Sequence, residues 1–324
     1  MKKLLFLPFV LIVVAVLAIG WIYANSQPPS TNKDYKNFLI DKGSSASSIG
    51  TKLQKAGFIK SALAFKIYLQ FTGRASSLQT GEFRLSPSFN LFQTVDALFK
   101  GPIEIWVTIP EGLRREEIAV KFASSLDKDS TFISEFLDAS KNSEGTLFPD
   151  TYLFPKDVTA TQVVNKMNKQ FDSKTSGFTP TSGLNFDQSV VLASILERET
   201  KTDAERPIVA GILINRLNAG MPLQADAAVQ YATGTSRCKG RLIGCEWWIA
   251  PTLIDLDINS PYNTYKFTGL PPGPISNPGE SSLKAAFNPT KTDYWYYIHD
   301  PQGNIHYAKT LAEHNANVAK YLGK

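Results

Sequence analysis

From Ile208 to Leu217 the chain reads Ile-Val-Ala-Gly-Ile-Leu-Ile-Asn-Arg-Leu, apolar nearly all round at the helical period. A helix without a polar face must be covered on every side, so this segment is predicted to be a central, buried helix. Asn215 and Arg216 interrupt it, and buried polar groups need partners. A carboxylate such as Glu199 is one candidate. Thr202-Asp203-Ala204-Glu205 just before it has the pattern of a capping box, and Pro207 is tolerated in a first turn.

The preceding segment, Asp187 to Thr200, is a second predicted helix with an acidic first turn. At about 100° per residue, Val191, Leu192, Ile195 and Leu196 form one apolar stripe. Glu199 falls within about 10° of the centre of that stripe, and Glu197 points to the opposite side. An ionised carboxylate on an apolar face is costly, so it is protonated or paired. A raised pKa of this kind suits a general acid, which makes Glu199 the candidate proton carrier and Glu197 a solvated surface residue.

The N-terminus carries a different signal. After Met1-Lys2-Lys3, an uncharged run extends from Leu4 to Ala24. A membrane span needs about 20 apolar residues, and a cleaved signal usually has a shorter apolar region. Residues 1–24 are therefore expected to be an uncleaved transmembrane anchor. Lys2 and Lys3 would lie in the cytoplasm, Trp21 and Tyr23 at the far interface, and the rest outside. The expected localisation is the cytoplasmic (inner) membrane, single-pass, with the catalytic part extracytoplasmic. The net charge is +5, but Lys and Arg are scattered and no basic tract interleaves with aromatics. A nucleic-acid partner is excluded on that ground, whereas an anionic wall polymer or membrane surface fits.

Further along, residues 25–34 are a Pro-rich linker. Helices are expected over Ser44–Ala56, Ser61–Phe71, Phe89–Phe99 and Val163–Phe171, with strands at Glu82–Leu85 and Ile103–Ile109. Gly43, Ile49, Lys52, Leu53 and Ser61 recur at one offset as Gly112, Ile118, Lys121, Phe122 and Ser130, each copy a turn followed by a helix pair. Small βααβ units of this kind resemble LysM modules, which grip N-acetylglucosamine chains. The expected division is a LysM-like module over 35–102, a connecting subdomain over 103–185 and a catalytic domain over 186–324. The fold class is α+β: a transmembrane helix, a small α+β module, a connector and a mixed α/β catalytic domain.

Past Gly220 the sequence becomes loop-rich, polar and aromatic. Cys238 and Cys245 lie in a short Gly- and Arg-rich stretch, where a local disulfide is permitted outside the cytoplasm and two free thiols are the alternative. Zinc would need further ligands, and no His lies within fifty residues. His299, His306 and His314 do not have metal-site spacing and read as structural. Tyr rings offer flat faces to sugars, and Asn and Gln amides pair with hydroxyls.

Several motifs in this last part resemble the endolytic murein transglycosylases, the YceG-like family. They are Ala193 to Thr200 (Ala-Ser-Ile-Leu-Glu-Arg-Glu-Thr), Ile214 to Leu217, Met221 to Asp226, Tyr262 to Tyr265, Gly269 to Gly273, Asn277 to Gly279, Ser282 to Ala286 and His314-Asn315. The segment from Cys238 to Cys245, with Trp247 and Trp248, departs from the pattern, and the LysM-like part matches loosely. The resemblance implies non-hydrolytic cleavage between N-acetylmuramic acid and N-acetylglucosamine within a strand, leaving 1,6-anhydro ends and setting strand length during wall growth. It places the catalytic residue on Glu199, as the stripe does, and substrate contacts on Gln224, Asp226, Tyr262, Asn263, Tyr265 and Asn277. No cofactor and no metal are implied. The implied partners are peptidoglycan strands, the cytoplasmic membrane and peptidoglycan synthases. Two rival readings are an inverting hydrolase using Glu199 with Asp226 and a non-catalytic wall-binding protein.

Overall fold

The computed structural model describes residues 2–41 and 43–323, without the side chains of residues 2–8 and 11. The chain divides into two compact units, one of residues 1–106 and 153–158, the other of 107–152 and 159–324.

The first unit begins with helix α1 (Lys2–Ser26), followed by β1 (Lys36–Ile40), α2 (Ala46–Lys55), α3 (Ala62–Phe71), β2 (Gly81–Leu85) and α4 (Leu91–Phe99). Three short side chains start the predicted helices: Ser45 caps α2, Ser61 caps α3, and Asn90 forms a reciprocal capping box with Gln93 on α4. Strands β1 and β2 pair antiparallel with Phe38 opposite Phe83. Both rings point into a core shared with Ile49, Leu53, Phe65, Leu69, Val95 and Leu98. The segment between α1 and β1, expected to be a loose linker, is held to the end of β2: the Ser30 N–H donates to the Pro87 carbonyl at 3.1 Å, and the Ser86 hydroxyl to the Asn32 carbonyl at 3.3 Å.

The expected transmembrane anchor, and the single-pass localisation that rests on it, are corrected here. Among the described residues no helix is long and apolar enough to cross a membrane. Asn25 and Ser26 turn back to the Trp21 and Tyr23 carbonyls and end the helix. Met1 lies outside the described residues, and the expected cytoplasmic placement of Lys2 and Lys3 rested on the same anchor.

Strand β3 (Glu104–Thr108) leads into the second unit. There α5 (Arg115–Ser125) and α6 (Ser130–Ala139) precede β4 (Thr151–Pro155), the strand that pairs with β3. The faint sequence repeat thus has a structural counterpart, because β1-α2-α3-β2 and β3-α5-α6-β4 share one order of elements. Gly43 and Gly112, equivalent in the repeat, both take the left-handed conformation at φ 81° and 76°, which glycine adopts at no steric cost. Ile118 and Phe122 are buried like Ile49 and Leu53.

The remainder of the second unit comprises α7 (Ala160–Thr175), α8 (Phe186–Glu199), α9 (Arg206–Asn218), α10 (Asp226–Arg237), α11 (Glu280–Phe287), the antiparallel hairpin β5 (Tyr296–His299) and β6 (Ile305–Ala308), and α12 (Leu311–Leu322). Residues 107–152 and 159–185 cluster with this helical body. Helix α9 is buried almost throughout, as its composition demands, and packs with α8, α10 and α11 around Leu192, Ile195, Leu196, Leu213 and Leu283. A Cβ on Gly211 would collide with the Thr290 carbonyl, so the chain approaches α9 there only because that residue is glycine. Asn215 and Arg216 of α9 are satisfied by backbone rather than by a carboxylate. Asn215 donates to the Thr292 and Tyr294 carbonyls, and Arg216 donates to those of Trp295 and Leu223. The expected capping box at the start of α9 is absent. Glu205 instead accepts from the Lys201 N–H, the Thr202 hydroxyl and His299.

Candidate active site

Helix α8 starts cleanly because Asn185 and Gln188 form a reciprocal capping box. Every residue from Ser189 to Leu196 is buried, so apolar packing fixes the helix up to the turn that carries the Glu-Arg-Glu run. The three charged side chains of that run then take three different environments.

Glu199 ends the helix and is partly buried. Its Oε1 accepts the Ala227 N–H at 3.4 Å, and its Oε2 accepts the Tyr297 hydroxyl at 3.0 Å. Ala227 is the second residue of α10, whose first N–H groups have no partner within the helix. The carboxyl therefore faces the positive end of a helix dipole. Burial raises its pKa. The Ala227 and Tyr297 hydrogen bonds pull the other way, Asp226 adds to the rise and His299 opposes it, and the balance stays upward. Such a group is a proton donor whose anion already has two hydrogen bonds waiting for it.

Glu197 is not the solvated residue the helical wheel suggests. Its side chain is 7% exposed and lies 3.6 Å from Arg206, while its Oε2 accepts the Gly279 N–H at 2.9 Å. The surface that α8 presents there is covered by Arg206 and by the start of α11, long-range packing that a single-helix period does not reveal. Arg206, also buried, donates to Ser282 and pairs with Asp203. A Cβ on Gly279 would collide with the Glu111 carboxyl, so glycine is required where these acids gather. Burial, then Glu197, raises the Glu111 pKa. Between the two glutamates, the Arg198 guanidinium lies 3.9 Å from the centre of the Trp248 ring, and that indole donates to Glu117 at 3.0 Å.

The remaining expected contact residues divide. Asp226 opens α10, one residue before the Ala227 N–H that reaches Glu199, and accepts the Tyr265 hydroxyl at 2.6 Å. Burial and this contact raise the Tyr265 pKa, so the phenol stays protonated. Gln224 is exposed and holds φ at 52°, an uncommon conformation for a residue with a Cβ. Its N–H is tied to the Thr264 carbonyl at 3.0 Å. Asp226 and Tyr265 thus adjoin Glu199, and Gln224 precedes Asp226 by two residues in the same loop.

Asn263 and Asn277 are spent internally. The Asn263 amide donates to the Leu256 and Ile258 carbonyls and accepts the Tyr265 N–H, so it shapes the loop that carries Tyr265. Asn277 accepts the Leu147 N–H and donates to the Leu113 carbonyl and to Glu144 at 2.8 Å. Tyr262 packs on Tyr231, with ring centres 4.8 Å apart. Beneath it sits Glu144, which also accepts the Arg115 N–H and whose pKa burial raises to about 8.

Sequence reasoning missed Tyr297 and Ala227. Tyr297 belongs to a Tyr-Trp-Tyr-Tyr-Ile-His run, whose aromatic and β-branched density is a strand signal. Ala227 acts through its backbone, for which residue type carries no signature. Cys238 and Cys245 form a disulfide, and among the described residues no cluster of His, Cys, Asp and Glu could hold a metal ion.

Comparison with known proteins matches this arrangement to one lineage. The chain is 35% identical to the endolytic murein transglycosylase of Bacillus subtilis (strain 168), covering 95% of this chain and 91% of that one. It is 31% identical to the protein of that name from Streptococcus pneumoniae serotype 2 (strain D39), covering 90% of this chain and 59% of the relative. Among solved structures, a crystal structure of a putative YceG-like protein from Listeria monocytogenes matches with a TM-score of 0.54 and 31% identity, over 88% of this chain and 99% of that one. The sequence profile of the YceG-like family spans residues 38–320, and the chain belongs to that family.

Proposed function

We propose that this protein is a lytic transglycosylase that cuts peptidoglycan strands internally between N-acetylmuramic acid and N-acetylglucosamine, with Glu199 as the only proton carrier. The supporting observation is the Glu199 carboxyl itself, raised by burial yet held by the Ala227 N–H and the Tyr297 hydroxyl. In its neutral form it gives its proton to the glycosidic oxygen as positive charge develops at the muramyl C1. The C1–O bond breaks and the N-acetylglucosamine hydroxyl leaves. The Glu199 anion then takes the proton of the muramyl C6 hydroxyl while that oxygen bonds to C1. The product is a 1,6-anhydro ring, and Glu199 ends as it began, protonated. No water is consumed, and no cofactor takes part. Internal cuts of this kind would set the length of glycan strands during wall growth.

Asp226 supports a second reading. Its carboxylate lies beside the Glu199 contact at the start of α10, and a base there could activate water, which would make the enzyme an inverting hydrolase. Mass spectrometry of digested sacculi separates the two: anhydro ends support the transglycosylase, reducing ends the hydrolase. Glu199→Gln keeps the shape and loses the proton, so cleavage should fall by about three orders of magnitude, within the 10²–10⁴-fold range of general acids, while circular dichroism is unchanged. Activity retained in that variant would defeat both readings.

A further inference from the structure

The first unit contains a groove of about 730 Å³ lined by α4, by the outer side of β2 and by the segment around Lys100 to Ile103. Its volume is that of a small-ligand site, and no residue of the Glu199 site belongs to it. Arg84 lies over the Tyr35 ring at 5.1 Å, and Arg74 lies over the Phe99 ring at 5.2 Å. Tyr35 is itself braced edge-on by Phe89 at 5.8 Å. Arg74 reaches Asp96 at 3.4 Å, whereas Arg84 and Lys100 have no carboxylate partner among the described residues. The groove therefore holds three cations against one acid. Two of the cations are guanidinium groups already laid on aromatic faces, which limits the freedom they lose on binding.

We infer that this groove binds the peptide stems of the wall polymer through their carboxylates, an inference that rests on the proposed peptidoglycan substrate. A guanidinium offers two parallel N–H groups to one carboxylate, and Arg84 is exposed and without such a partner. The aromatic floor and Pro102 suit the alkyl parts of a short peptide. Asp96 discriminates between polyanions: it would repel a polyphosphate chain, but it can accept the ammonium of a diamino acid, a group that peptide stems carry beside their carboxylates. The mixed charge thus favours a peptide over a uniformly anionic polymer. Binding stems here would give the enzyme a preference for strands that still bear them.

Two measurements on the full chain test this. In the first, KM and kcat are compared on glycan strands with stems and on strands stripped of stems by an amidase. The native protein should show a KM lower by about tenfold on stem-bearing strands, the scale of one charge-assisted contact. Arg84→Ala should abolish that difference and leave kcat on stripped strands unchanged. Arg84→Lys, which keeps the charge but not the fork, should recover only part of it. In the second, an isolated stem peptide is titrated into the protein, alongside its carboxamide form and inorganic polyphosphate. Binding of the free-acid peptide that weakens in Arg84→Ala and Arg74→Ala supports the inference. Equal KM values on the two native substrates, peptide binding indifferent to both arginines, or polyphosphate binding as well as the peptide would each overturn it. Because the titration needs no cleavage, a protein that binds the peptide yet cuts no strand would refute the proposed activity and leave the groove assigned.

Discussion

At the scale of single residues, the site is a carboxyl group whose two protonation states are both provided for. Burial favours neutral Glu199, and the Ala227 N–H and the Tyr297 hydroxyl favour the anion. Tyr297→Phe removes one of the contacts that lower the pKa, so the Glu199 pKa should rise further. The reaction begins with the acid form, so the alkaline limb of the pH–rate profile should move to higher pH. The anion that must accept the C6 proton loses a hydrogen bond, and kcat at the optimum should fall by a few-fold to about tenfold. A limb that stays in place, or moves down, would show that Tyr297 does not act through Glu199. Folding stability reports the same pKa in the opposite sense. A carboxyl that binds protons more tightly folded than unfolded loses stability as pH rises from the ordinary carboxylate range towards its raised value.

At the scale of elements, α8 is held at both ends by different means: a capping box at Asn185 and, near Glu199, the contacts of Glu197 with Arg206 and the Gly279 N–H. Glu197→Ala would leave that N–H and part of Arg206 without a buried acceptor. Stability measured by urea unfolding should drop by about 2 kcal/mol, the scale of a lost hydrogen bond to a charged group. A change within about 0.5 kcal/mol, usual for surface substitutions, would restore the solvated reading. The elements legible in the sequence were those with a strong local signal. Ser45, Ser61 and Asn90 mark helix starts, the composition of α9 shows its burial, and the repeat of Gly43 at Gly112 marks two turns of the same hand. Past Gly220 the sequence is loop-rich, and helices α10, α11 and α12 are not assigned from it. Helix α10 is Asp-Ala-Ala-Val-Gln-Tyr-Ala-Thr-Gly-Thr-Ser-Arg, poor in large apolar residues and rich in weak helix formers. It is helical because Ala227 and Ala228 pack into the core and Val229 is buried beside them. The stripe singled out Glu199, whose neighbours come from residues 28 and 98 positions away, and no local pattern encodes such partners. Asn263 and Asn277 illustrate the converse: amides suited to sugar hydroxyls are used to hold loops.

At the scale of the whole molecule, a net charge of +5 with an isoelectric point near 9.0 sets how the protein meets an anionic polymer. Long-range attraction of this kind is screened over roughly 10 Å at 0.1 M salt. Raising the ionic strength from about 0.05 to 0.5 M should therefore weaken association with sacculi and raise KM, with little effect on kcat, because Glu199 is partly buried and its partners lie within hydrogen-bonding reach. A salt-sensitive kcat would place the charge effect in the chemical step. The disulfide between Cys238 and Cys245 joins residues only 7 apart, so it ties one loop rather than linking distant parts of the chain.

The division of the chain also bears on the order in which it is made. The first unit contains residues 1–106 together with 153–158, so its closing segment emerges from the ribosome only after α5 and α6 of the second unit. An N-terminal domain usually folds while the rest is still being synthesised, but here a nascent chain ending near residue 106 lacks a piece of its own first body. Completion must wait for about fifty more residues, by which time the second unit has begun to form. The same interleaving limits recombination. A graft that exchanges the first unit at a single junction after Trp106 leaves six residues of the old body behind, whereas one that also carries residues 153–158 transfers it whole.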